Sequence, residues 1–319
     1  MFSGDKMNAT VEILPFQRTR TGFVAVNIVK DGDMRLCQID MEYSKLASLG
    51  QTNGTAMDLL LLAASVYALD KLVLRNDAPD CWHRKFVRRL PVSDARKWNS
   101  VKNDLDHCIS FLTGDFWNIT FFSKETNLSH LNHPMMSPQT SDAVSLFSGG
   151  LDSLIGAIDW LELNKKKGLR LCVVGHHDGQ IAGTYGDQKS LLKKLKNEYP
   201  GRIDDIFVRI GHNNESTKNR EPSLRGRSFL FAALGIFVAS TFGPNTPLFI
   251  PENGTIALNI PLTPSRRGSC STRTAHPHYM EMLSHVLSQL GFANPFSNPL
   301  GLKTKGKAVL QCLNRCLFR

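Results

Sequence analysis

The run Ser148-Gly149-Gly150-Leu151-Asp152-Ser153 constrains this chain more than any other stretch. It follows the apolar segment AVSLF directly and opens LIGAIDWLEL, where Leu154, Ile155, Ile158 and Leu161 share one helical face. A strand, a glycine turn and a helix in that order predict an anion site. Two glycines let the backbone turn tightly and approach a phosphate, exposed N–H groups form a nest, and the helix N-terminus adds partial positive charge. Ser148 and Ser153 add hydroxyl donors. Asp152 is a carboxylate among anion-binding groups, which makes chemical sense where Mg²⁺ bridges it to phosphates. ATP with magnesium is therefore the expected ligand. The spacing matches neither GxxxxGK[ST] nor GxGxxG, so the Walker and dinucleotide-binding classes are set aside.

From residue 142 the order is strand, glycine turn, helix, strand, helix, strand: AVSLF, SGGLDS, LIGAIDWLEL, LRLCVVG, GDQKSLLKKLKNEY and DDIFVRI. Short apolar runs alternating with amphipathic helices predict an α/β fold with a doubly wound, mainly parallel, Rossmann-like sheet. Ligands of such sheets sit at the carboxyl ends of the strands. Upstream, ILPFQ, FVAVNIV and CQIDMEY read as strands. The run MDLLLLAASVYALDKLVL, capped by residues 53–55, reads as a largely buried helix. WHRKFVRRLPV reads as a strand carrying basic residues, Ser93-Asp94 through WNSVKNDLDHCISFL as one helix, and FWNITFF as a strand. These form a smaller α+β N-terminal domain with its own core, and residues 123–140 are a linker or covering loop. The expected division is 1–140 and 141–319.

At 319 residues the chain has the length of about two domains, and 42% hydrophobic with 21% charged residues excludes wholesale disorder. Thirty-eight Lys and Arg against 28 Asp and Glu give +10, which suits ATP, a nucleic acid or an acidic protein surface, and equally a basic surface that serves solubility. The seven cysteines are odd in number, widely spread and without a CxxC pair, which predicts reduced thiols and a cytoplasmic location. MFSGDKMNATVEILPF has no signal-peptide pattern. Residues 228–251 are interrupted by Gly235, Gly243, Pro244, Asn245 and Pro247, and read as a buried helix, a turn and a buried strand, not a membrane span.

SGGLDS resembles the SGGxDS loop of the PP-loop ATP pyrophosphatases, which activate a carboxylate or carbonyl as an adenylate and release pyrophosphate. Farther on, Gly175-His176-His177-Asp178-Gly179-Gln180 and Ser223-Leu224-Arg225-Gly226-Arg227-Ser228-Phe229-Leu230 resemble, in order, two segments of the 7-cyano-7-deazaguanine synthase (QueC) family. Pro251-Glu252-Asn253-Gly254 and Lys303-Thr304-Lys305-Gly306 extend the match over about residues 142 to 310. FLTGDFWNITF, PENGTIALNIPLTPSRRGS and STRTAHPHYM resemble the QueC-like proteins of Qat anti-phage systems, the QatC family.

The resemblance implies an ATP-dependent C–N ligase acting on a carboxylate such as 7-carboxy-7-deazaguanine. Its partners would be other Qat-type defence proteins: an ATPase, a small partner protein and a TatD-like nuclease. It implies ATP binding by Leu146, Phe147, Ser148, Gly149, Gly150, Asp152, Ser153, Leu154, His177 and Arg225. Catalysis falls to Asp152, Ser153, Arg227 and Lys305, with Lys303 as a further cation, and Asp152 reaches Mg²⁺ through the phosphates. Substrate binding falls to Asp178, Gln180, Glu252, Asn253, Asn259 and Arg266. Asn253-Gly254 also serves simply as a turn. Zinc stays open, because Cys312 and Cys316 form CxxxC without a following CGxCxxC. The acidic purine-binding segment is replaced by residues 259–268, so the substrate can differ. Cys270 is a second candidate nucleophile or a structural thiol, and His276 a helix cap. Two other readings remain: a partner-binding module that keeps a nucleotide pocket, and a tRNA-modifying enzyme with WHRKFVRR as its RNA footprint.

Overall fold

A computed structural model describes residues 11–14, 17–20, 22–30, 34–50, 53–124, 140–178, 182–213, 221, 223–258 and 273–318. Among these, eleven strands form one mixed sheet.

The N-terminal half begins with β1 (Val11–Ile13), β2 (Gln17–Arg20), β3 (Phe23–Lys30) and β4 (Met34–Glu42), all paired antiparallel through β3. After the short α1 (Ser44–Ala47) comes α2 (Gly54–Leu72), whose Asn53 side chain accepts from Thr55 N. Every residue of α2 from Thr55 to Asp70 is buried. A helix apolar on all sides belongs inside a core, and each fully buried leucine stabilises it by about 1.5–3 kcal/mol. Then follow β5 (Lys85–Val92), α3 (Ala95–Ser100), α4 (Lys102–Thr113) and β6 (Phe116–Ser123).

The helix expected as one piece after Ser93 is two, broken at Val101 (φ −104°, ψ 3°). The break satisfies two demands that a straight helix would set against each other. Trp98 Nε1 donates to the buried Asp58 of α2 at 3.1 Å, while Leu105, Ile109 and Leu112 of α4 face the core.

The C-terminal half contains β7 (Ala143–Leu146), α5 (Leu151–Leu163), β8 (Leu171–His177), α6 (Ala182–Glu198), β9 (Ile203–Asn213) and α7 (Arg225–Phe242). It ends with β10 (Leu248–Phe249), α8 (Gly254–Ala257), α9 (Pro277–Gln289), β11 (Phe296–Ser297) and α10 (Lys305–Leu310). The parallel strands run in the order β11-β10-β7-β8-β9. Successive residues of β7 and β8 bury into opposite faces. Val144, Leu146, Cys172 and Val174 join α2 and α7, whereas Ala143, Leu171 and Val173 join α5 and α6. Helices thus cover both faces, as the doubly wound expectation requires.

The sheet does not stop at the expected division. β9 pairs with β8 through residues 203–209 and then with β4, antiparallel, through 210–213. This splice carries the sheet on through β3, β1, β5 and β6. A single hydrophobic core likewise contains α2, α4, α7 and α9. No helix among the described residues is long and apolar enough to cross a membrane.

Buried charge fastens the two halves. Arg84, with no exposed surface, donates to Asp70 Oδ1 (2.7 Å), to both oxygens of Asp115 (3.0 and 2.6 Å) and to the carbonyls of Asp70 and Val73. Arg75 also grips both Asp115 oxygens. The other oxygen of Asp70 accepts from Ser223 Oγ (2.9 Å) and from Gly226 N (2.8 Å) at the start of α7. A Cβ on Gly226 would lie 3.0 Å from Tyr67 Cα, Val66 O and Asp70 Cβ, so glycine permits α7 to touch α2 here.

Candidate functional site

Strand order locates the site. From β7 the chain proceeds to β8 on one side, and from β10 to β11 on the other, so the order in which these parallel strands are added reverses between β7 and β10. In open α/β sheets the crevice outside the carboxyl ends of such a strand pair is where ligands bind. Here it is occupied by the 148–153 loop after β7 and by Pro251-Glu252-Asn253 after β10.

Gly149 has φ +84°, a left-handed conformation that costs other residues about 1–2 kcal/mol. A Cβ there would also meet Gln188 of α6 at 3.1 Å. Gln188, fully buried, donates from Nε2 to Phe147 O at 3.0 Å and so holds the loop from beneath. Its Oε1 is buried without a hydrogen-bond partner among the described residues. Gly150 N donates to Ser148 Oγ (3.3 Å), and Ser153 Oγ donates to Gly150 O (2.8 Å), closing the turn onto α5.

Asp152 and Asn253 join the two sides of the crevice. Asp152 Oδ2 accepts from Asn253 Nδ2 (2.8 Å) and Asn253 N (3.2 Å), while Asn253 Oδ1 caps α8 through Ile256 N. Asn253 is therefore the turn residue: buried, with its side chain engaged by Asp152 and by the α8 cap, it does not line the cavity as a substrate contact expected there would. Asn298 fixes the same segment, donating to Glu252 O (2.7 Å) and accepting from Glu252 N (3.1 Å).

Asp152 Oδ1 and Glu252 Oε2 are buried and have no hydrogen-bond partner among the described residues. Burial, and next the charge of Asp152, push the Glu252 carboxyl up to about 7, against a smaller opposing contribution from the Ala275 N–H. The unused Asp152 oxygen suits a hard divalent cation, and the exposed backbone of the glycine loop suits phosphate. Magnesium and a nucleoside triphosphate therefore fit the groups present.

The crevice holds a cavity of about 250 Å³ bordered by Leu146, Ser148, Ser153, Arg227, Glu252 and Thr274. Arg227, in the first turn of α7, donates from Nε to His176 Nδ1 (3.2 Å) and from Nη2 to His176 O (3.2 Å). Ser228 and Thr274 share a hydroxyl–hydroxyl bond of 2.5 Å at the same wall.

Other expected site residues lie apart from this cavity. Arg225 donates to Thr113 O (2.8 Å) and lies over Trp82, tying α7 to the end of α4. His177 stacks on Tyr185 at 4.2 Å. Lys303 Nζ faces Asp159 of α5 at 3.8 Å, and Lys305 is exposed at the start of α10. Phe147 and Leu154 are buried in the core beneath the loop, so their contribution is packing. Asp178 is half-buried at the end of β8, and its charge acts on Lys71 of α2 and on His176. Gln180, Asn259, Arg266 and Cys270 lie outside the described residues. Cys312 packs into the core beside α5, whereas Cys316 is exposed. No group of three or more His, Cys, Asp or Glu side chains arranged to hold a metal ion occurs among the described residues. His276 Nδ1 caps α9 through His278 N at 3.2 Å, as its position before Pro277 predicts.

The basic stretch WHRKFVRR, expected as the RNA footprint of a tRNA-modifying enzyme, is exposed only in part. Arg84 and Arg88 point inward, Arg84 into the buried charge cluster and Arg88 over the Phe86 ring, leaving His83, Lys85 and Arg89 on the exposed side. Gln188 and Thr274 are the residues that motif reasoning missed. Each stands among other polar residues, and nothing in the local pattern distinguishes it from a surface position.

No protein-family model matches the chain, no curated protein matches its sequence, and no solved structure matches its fold.

Proposed function

We propose that this chain is a PP-loop-type ATP pyrophosphatase that activates a carboxylate as its adenylate, in the manner of the QueC-like family it resembles. The observation that carries the reading is the placement of the 148–153 loop where the strand order reverses between β7 and β10: its Ser148 and Ser153 line one cavity with Glu252 and Arg227, and its Asp152 is clamped to Asn253. ATP is a substrate here. A carboxylate oxygen of the second substrate attacks the α-phosphorus, the bond from that phosphorus to the bridging oxygen breaks, and pyrophosphate leaves with its electron pair. An amine then displaces AMP from the acyl carbon and loses a proton: ammonia gives an amide and then, by renewed activation, a nitrile, whereas a protein amine gives a conjugate.

The chain's own groups divide this work. Backbone N–H groups of the glycine loop and the Arg227 guanidinium stabilise charge that grows on the phosphates. Asp152 Oδ1, without a hydrogen-bond partner among the described residues, would hold magnesium, and the ion would screen the phosphate charge. Asp152 Oδ2 keeps the loop clamped to Asn253. Glu252 presents a buried oxygen suited to an N–H edge of a deazapurine-like ring. Membership of a Qat-type defence complex belongs to the same proposal.

The test is pyrophosphate release from ATP and Mg²⁺, with and without 7-carboxy-7-deazaguanine, for the wild type and Asp152→Ala. Release that depends on the acid and disappears in the variant supports the reading. Acid-independent release, or release unchanged in the variant, overturns it.

A further inference from the structure

Presupposing the nucleotide pocket proposed above, we infer that His176, a fully buried residue of β8, is the positioning residue that aims the Arg227 guanidinium at the cavity. One residue holds one edge of the guanidinium twice. Its ring Nδ1 accepts from Arg227 Nε, and its own carbonyl accepts from Arg227 Nη2, both at 3.2 Å. Arginine carries a long and flexible side chain, and fixing two of its nitrogens removes most of the rotamer freedom that would otherwise be lost on binding an anion. The guanidinium fixed in this way borders the cavity together with Ser148 and Ser153.

The opposite side of the ring makes the arrangement directional. His176 Nε2 lies 2.9 Å from Ile210 O, and a carbonyl can only accept, so Nε2 carries the proton. Nδ1 is then the lone-pair nitrogen, which is what a guanidinium N–H requires. An imidazolium would set two donors against each other at the Arg227 contact. Tyr67 of α2 packs edge-on against the ring (5.5 Å between centroids, 81°). Burial, followed by the Arg227 charge, depresses the imidazole to about 3, in agreement with a ring that stays neutral. His176 thus converts the sheet position of β8 into a fixed orientation for a cation borne on α7.

Calorimetric binding of inorganic pyrophosphate with Mg²⁺ to the full chain tests this, using Arg227→Met, His176→Leu, the double variant and His176→Asn, whose side-chain oxygen can replace Nδ1 as the acceptor. Loss of a charge-assisted hydrogen bond predicts about tenfold to hundredfold weaker binding for Arg227→Met. His176→Leu should weaken binding at least about fivefold, add nothing in the double variant, and be rescued by His176→Asn. Wild-type affinity in His176→Leu alongside impaired Arg227→Met, or additive losses in the double variant, overturns the inference and leaves the pocket reading standing. Wild-type affinity in Arg227→Met overturns the pocket reading itself. Because His176 is buried, nitrogen NMR supplies a readout independent of folding stability. Wild type should show the Nε2–H tautomer with an Nδ1 resonance that moves in Arg227→Met, and an Nδ1–H tautomer overturns the inference.

Discussion

Asp70 of α2 accepts a 2.8 Å hydrogen bond from the backbone N–H of Gly226 in α7, one residue before Arg227. The helix that carries the cavity's cation is therefore anchored by the N-terminal half of the chain. The anchor is itself held, because the second Asp70 oxygen is bound by the buried Arg84.

Removing that carboxylate should be costly. In Asp70→Ala, Arg84 loses one of its two counter-charges in a dry site, while Gly226 N and Ser223 Oγ lose their acceptor. Breaking a buried pair from one side costs about 3–5 kcal/mol. Urea denaturation should report a loss of that order, and a loss within experimental error of zero would refute the anchor.

Gly149→Ala should damage loop and fold together. Its left-handed φ of +84° costs about 1–2 kcal/mol for alanine, and the new Cβ approaches Gln188. The expected result is a stability loss of about that size together with weakened ATP binding. Unchanged ATP affinity would show that the loop is not the phosphate cradle.

Glu252 and His176 make stability depend on pH in opposite senses. Glu252 is raised from 4.5 to about 7 in the fold, so between those values the native state holds a proton that the unfolded chain releases, and stability falls as pH rises. His176 is lowered from 6.5 to about 3, so between those values the unfolded chain holds the proton, and stability falls as pH drops. From pH 4.5 to 6.5 the two slopes, each about 1.4 kcal/mol per pH unit, oppose one another. Glu252→Gln leaves the histidine slope alone. On acidification from pH 6.5 to 4.5 the variant should therefore lose about 2 kcal/mol more than wild type in denaturant titrations, since the slopes flatten near the two pKa values. Parallel pH profiles for the two proteins would contradict the raised pKa of the buried Glu252.

The loop was legible because its code is local: an apolar strand, two glycines, a carboxylate and an amphipathic helix stand within about twenty residues, and the fold keeps them in that order. The caps at Asn53, Asp94 and His276 were legible for the same reason. The junction of β9 with β4 was not, since their partners lie about 170 residues apart and either strand satisfies its alternation in an isolated sheet. The inward turn of Arg84 and Arg88 was hidden because a basic strand reads as a solvated face until Asp70 and Asp115, distant in sequence, are brought beside Arg84. The break at Val101 escaped as well, because it answers to a tertiary bond between Trp98 and Asp58 and not to any local helix-stopping residue.

The most direct measurement is phosphorus NMR of the products formed from ATP, Mg²⁺, 7-carboxy-7-deazaguanine and ammonia by the full chain. Attack at the α-phosphorus predicts AMP and pyrophosphate in equal amounts, growing together with the acid's conversion. ADP and inorganic phosphate would contradict adenylation and place the chemistry at the γ-phosphorus instead.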